Sequence, residues 1–115
     1  MKYTRIYSDP SGESHFEDVQ VSLQDRGIIG FLSEKIPVSS MQFRENEAGY
    51  DWDFHNAPER QFIILLDGET EITASDGETR IFRGGDILLV EDTGGKGHRS
   101  KHIKQQIRKS IFIQL

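Results

Sequence analysis

Short apolar runs punctuated by glycine dominate the chain, and almost no window holds a helical period over twelve residues. Gln61 to Leu66 is a β-type run closed by Asp67-Gly68, a turn pair. Glu71 to Ser75 alternates polar and apolar positions. Asp76-Gly77 then supplies the pair that type I′ hairpins favour, and Thr79 to Phe82 runs back. After Gly84-Gly85, Asp86 to Val90 reads as another strand. Strand–turn units at this spacing predict an antiparallel sandwich or barrel.

The flanks carry the same pattern. His15 to Leu23 alternates, with Val19, Val21 and Leu23 on one face. Ile28 to Ile36 and Ser39 to Phe43 place apolar residues around Pro37, and Lys109 to Leu115 reads as a closing strand. The prediction is an all-β chain. At 115 residues there is material for one core and no second module, so residues 1–115 are expected to form a single domain.

Two of the predicted strands are apolar on both faces. Gln61, Ile63 and Leu65 alternate with Phe62, Ile64 and Leu66, and Ile87 and Leu89 alternate with Leu88 and Val90. A small sandwich has one interior, so the second face needs a cover. Taking Phe62, Ile64, Leu66, Leu88 and Val90 as that outward face, the expectation is a homodimer. Its interface would use these central strands or a flanking N-terminal strand.

Composition narrows the function. The longest uninterrupted apolar run, Phe62 to Leu66, falls far short of the ~20 residues of a spanning helix, so no membrane role is expected. The net charge of -5 argues against a nucleic-acid partner, whose phosphates demand a basic surface. Lys96, Arg99, Lys101, Lys104, Arg108 and Lys109 cluster late in the chain and read as a solvated strand face. Zero cysteines exclude disulfides, thiolate zinc sites and thiol nucleophiles. No apolar signal core follows Met1, and a cytoplasmic location is expected.

The candidate chemistry lies between Gly49 and His102. Gly49, His55, Ala57, Gln61 and Gly68 stand at the spacing G-x5-H-x-H-x3-E-x6-G, with Ala57 in the second histidine position and Gln61 in the glutamate position. Gly84-Gly85-Asp86 begins a second element that reaches His98 after the turn Thr93-Gly94-Gly95-Lys96-Gly97, and His102 takes the place of a final asparagine. In these two motifs, over about residues 49–102, the chain resembles the cupin superfamily.

The resemblance implies a double-stranded β-helix, a jelly-roll barrel, with its site in the barrel mouth. Metal-binding cupins hold their ion with two histidines and a glutamate from the first motif and a histidine from the second. Carried over here, the set is reduced to His55, Gln61 and His98. A divalent ion (Fe, Mn, Ni or Zn) on these three would have two strong donors and one amide oxygen. Asp53, two residues before His55, is placed by strand alternation on the same face and would restore a carboxylate.

The reading that follows is a cupin-type protein binding a small organic ligand in the barrel mouth. Its pocket would be lined by His55, Gln61 and His98, with Trp52 and Phe54 nearby and Tyr50 as a further aromatic wall. The alternative is a metal-dependent dioxygenase or isomerase acting on a small polar metabolite. His15 and His102 are read as surface or strand-face histidines. No G-x-S-x-G elbow or phosphate loop is present, and Gly94-Gly95-Lys96-Gly97 is read as a turn.

Overall fold

Glycine turns and alternating strands fold back on one another as two facing sheets. The computed structural model describes residues Met1–Leu115. Its strands are β1 (Lys2–Ser8), β2 (Ser14–Gln20), β3 (Gln24–Asp25), β4 (Phe31–Leu32), β5 (Ser40–Asn46), β6 (Asp51–His55), β7 (Gln61–Leu65), β8 (Glu69–Ala74), β9 (Thr79–Arg83), β10 (Ile87–Val90), β11 (His98–His102) and β12 (Arg108–Gln114). One sheet has the order β2-β1-β10-β7-β12-β5, and the facing sheet the order β6-β11-β8-β9. β3 and β4 pair only with each other, around a 3-10 turn at Gly27–Ile29. This is the all-β jelly roll expected from the motifs.

The core fills the space between the sheets. Ile6, Leu65, Leu88 and Val90 from the larger sheet meet Ile72, Ala74 and Phe82 from the smaller, with Phe16 and Ala57 completing the cluster. The Asp76-Gly77 hairpin forms as its residues dictate. Gly77 takes φ +96°, and Ala74 and Glu78 close the turn through Ala74 N–H to Glu78 O at 2.9 Å.

Antiparallel register overturns part of the outward-face assignment. Leu88 stands opposite Ile63 and Leu89 opposite Phe62, and directly paired residues share a face. Leu88 and Val90 therefore point inward beside Ile63 and are buried, while Phe62, Ile64, Ile87 and Leu89 form the outer face. Phe62 is itself covered by Tyr3, whose ring meets it edge-on at 5.3 Å. β1, which pairs parallel with β10 and antiparallel with β2, is the strand that supplies this cover.

The β1–β2 turn carries a charged clasp. His15 bonds the Asp9 carboxylate through Nε2 at 2.7 Å and Asp76 through Nδ1 at 3.0 Å. Asp9, then Asp76, raises the His15 pKa above its ordinary value, and His15, then Ser11, lowers that of Asp9. The His15 contribution to stability is complete below the unfolded imidazole value of about 6.5 and fades as pH rises through the higher folded value. That of Asp9 is present above about 3.9 and fades as pH falls through its lower folded value. The denaturation midpoints of wild type and His15→Ala should thus differ most between about pH 4 and pH 6.5, and converge toward alkaline pH. A gap independent of pH would contradict the clasp.

No helix is long and apolar enough to cross a membrane.

Candidate functional site

β6 and β11 lie side by side in the smaller sheet and present the two motif histidines to the interior. His98 is opposite His55, but Ser100 is opposite Trp52, so β6 carries one extra residue between them. This β-bulge breaks the alternation that sequence reasoning assumed. Trp52 and His55 consequently lie on one face, their rings stacked at 3.6 Å and 6°. Asp53 is exposed and accepts a hydrogen bond from its neighbour Phe54 N–H at 2.8 Å, so it does not restore a carboxylate to the site. Phe54 is 48% exposed and lies outside the cavity wall, a correction to its expected place there.

His55, Gln61, His98 and Trp52 converge on a cavity of about 490 Å³ between the sheets. Ile63, Leu65, Ile72, Leu88, Val90 and Phe112 form its apolar floor and walls. The two imidazole rings sit 4.6 Å apart. His55 donates from Nδ1 to the Asp53 carbonyl at 2.7 Å, and His98 donates from Nδ1 to the Asp92 carboxylate at 2.5 Å. Carbonyl and carboxylate oxygens can only accept, so Nδ1 carries a proton in each ring, and a neutral His55 keeps its lone pair on Nε2. Burial lowers the His55 pKa, helped by the nearby His98 and Arg44, which keeps this ring neutral at pH 7. Asp92 is fully buried, and its backbone carbonyl also accepts from Ala57 N–H at 3.1 Å.

Gln61 is held by a glutamine relay. Its Oε1 accepts from Gln114 Nε2 at 2.9 Å, and Gln114 in turn reaches Gln42 and accepts from Ser40. Strand pairing places Gln61 opposite both Val90 and Gln114, so all three share the inner face.

This donor set does not fit a resident divalent ion. Two histidines are present, Ala57 takes the third imidazole's place, and the Gln61 oxygen is engaged by Gln114. Asp92 holds His98 through Oδ2 while its Oδ1 is buried without a partner, and nowhere does the chain gather three His, Cys, Asp or Glu side chains suited to hold a metal.

Several cavity residues escaped the sequence reading. Arg44, Arg108 and Ser100 all reach the cavity, alongside the Tyr50 ring. Arg108 is only 7% exposed, not part of a solvated basic face, because β12 begins one residue earlier than its apolar run suggests. Its inner face is Arg108, Ser110, Phe112 and Gln114, an alternation visible in the sequence once the strand is extended. His102, expected on the surface or on a strand face, ends β11 and is buried, with its ring 5.2 Å from Tyr50.

No protein-family model matches the chain, and no curated protein does. Solved structures do. A cupin superfamily protein of Desulfitobacterium hafniense aligns at TM-score 0.51 and 18% identity, covering 84% of this chain and 77% of its own. The Cnp3 cupin domain of Schizosaccharomyces pombe aligns at TM-score 0.54 and 16% identity, covering 97% and 85%. A protein of Neisseria meningitidis, NMB1881, gives 0.51 and 17%, covering 84% and 82%. Two facing sheets, the motif histidines on adjacent strands and these likenesses agree: the chain has the cupin fold.

Proposed function

We propose that this protein binds a small organic ligand in the barrel mouth, between the His55 and His98 imidazoles and the Trp52 ring. The observation that supports this most directly is the pair of anchored imidazoles on one cavity wall. Each has Nδ1 fixed by an acceptor and Nε2 without a protein partner, above an apolar floor. An apolar cavity of this size with a few convergent polar groups is the usual form of a small-molecule site. The competing reading, a metal-dependent dioxygenase or isomerase, needs a third strong ligand that His55, Gln61 and His98 do not supply. Elemental analysis of protein purified without a histidine tag separates the two. The expected result is no iron, manganese, nickel or zinc near stoichiometry, and one such metal per chain would reinstate the enzyme.

The chain is proposed to work as a homodimer. Residues 31–43 are all exposed, although they include Phe31, Leu32, Ile36, Val38, Met41 and Phe43. Ile28 and Ile29 project from the 3-10 turn into solvent. The radius of gyration is 14.8 Å, above the roughly 13 Å of a compact chain of this length, as an arm leaving the body requires. The arm runs directly into the edge strand β5, whose outward Met41 and Phe43 lie beside Ile113 and Ile111 of β12. Arm and edge both expose apolar side chains. The occupant that fits is a second copy, since each copy brings the same arm to the other's sheet face.

A further inference from the structure

Arg108 is the one deeply buried cation of the cavity and lacks an anion. Its Nη2 donates to Asn46 Oδ1 at 3.0 Å, while its Nε has no hydrogen-bond partner. No carboxylate forms an ion pair with it, and burial depresses its pKa; Tyr50, its ring 5.7 Å away, works against that, Arg44 adds to it and Asp67 opposes it. An arginine stays charged under any such shift, so the fold holds a guanidinium with no ion-pair partner inside a low-dielectric wall. Arg44 stands in the same cavity with its guanidinium 4.9 Å over the Phe112 ring and also makes no ion pair. The carboxylate on the cavity lining, Glu59, is an exposed residue. A chain of net charge -5 thus places two unpaired guanidiniums on one cavity.

We infer that the cavity takes a small organic carboxylate, its anionic end toward the Arg108 guanidinium and its hydroxyl or N–H groups toward Nε2 of His55 and His98. The inference rests on the ligand-binding reading above and adds the ligand's charge and polarity. Arg108 opens β12 and Gln114 ends it, so the arginine and the Gln61–Gln114 pair mark opposite poles of the cavity. Arg44 affects both poles, since its charge acts on His55 and on Arg108. The two poles ask for different chemistry: a charged acceptor at one, hydrogen-bond donors at the other. A guanidinium without an ion-pair partner on the cavity wall suits a carboxylate as its counter-charge.

Trp52 is the chain's single tryptophan and lies in the cavity wall, so its fluorescence reports occupancy directly. The test titrates wild type with gluconate, lactate and benzoate, each against its neutral counterpart glucitol, lactamide or benzamide, at constant ionic strength. Inorganic phosphate is a further arm. Saturable binding of at least one carboxylate, ten- to a hundredfold tighter than its neutral partner, is expected. Arg108→Met should abolish that preference and melt at or above the wild-type temperature, because removing an unpaired buried charge relieves the fold. Arg108→Lys should keep part of it. Neutral compounds binding as well as carboxylates, or phosphate alone binding, overturns the carboxylate inference and leaves the pocket standing. No response to any compound overturns both. An Arg108→Met chain that melts well below wild type assigns the arginine a structural role and overturns the inference as well.

Discussion

Replacing Gly97 by alanine should cost this protein about 3–5 kcal/mol, close to the largest effect a single methyl can have. Gly97 ends the glycine-rich turn at φ +73°, and a Cβ there would sit 2.1 Å from the His55 carbonyl oxygen and 2.5 Å from its carbon. Two penalties combine. A left-handed conformation costs a residue with a Cβ about 1–2 kcal/mol, and the overlap is with backbone that cannot rotate away. β6 cannot retreat, because His55 is paired with His98 across the sheet. On the other side, Ser14 Oγ donates to the Gly97 carbonyl at 2.7 Å and ties the turn to β2. The melting temperature should fall by on the order of 15 °C. Trp52 fluorescence should change in whatever folded fraction remains, since the clash pushes directly on His55, its stacking partner. Gly94→Ala is the control: its Cβ meets nothing within 4 Å, and its φ is outside the left-handed region. That variant should match wild type. Gly97→Ala within 1 kcal/mol of wild type would show that the turn rearranges freely and that the histidine pair is not held by it.

The second large effect concerns assembly. Wild type at micromolar concentration is expected to scatter as twice the 13.2 kDa chain mass. Ile28→Ser, Ile29→Ser and Phe31→Ser combined should reduce it to the single mass. These three side chains are among the most exposed apolar groups of the chain and stabilise nothing within it, so the monomer should keep its strands and its cavity. Each such side chain buried in an interface contributes about 1.5–3 kcal/mol. Removing three from each subunit, six per dimer, takes away enough to abolish a micromolar association. A wild-type mass near one chain would refute the dimer. A triple variant that still pairs would keep the dimer but move its interface away from the arm.

The sequence by itself determined the fold class and the pole of the site that carries the histidines. Glycine-closed alternating runs cannot settle as helices, and the spacing from Gly49 through His55 and Gln61 to Gly68 placed the first-motif residues before any coordinates did. The same residues, with Ala57 and Gln61 at ligand positions, already announced a depleted donor set. Tertiary structure decided the rest, each time for a non-local reason. The bulge that puts Trp52 with His55 and turns Phe54 and Asp53 away exists only in the pairing of β6 with β11, a register between segments over forty residues apart. Leu88 and Val90 face the cavity because β10 pairs with β7 in one register and not the next, and period-2 alternation cannot choose between its two faces. Arg108 read as a solvated residue, and His102 as a surface or strand-face one, because their types favour solvent in general. Only the packing of β12 against β5 and β7, and of β11 against β8, shows that both are inside. The buried guanidinium is where local preference and global fold disagree, and such disagreements are expected at functional sites.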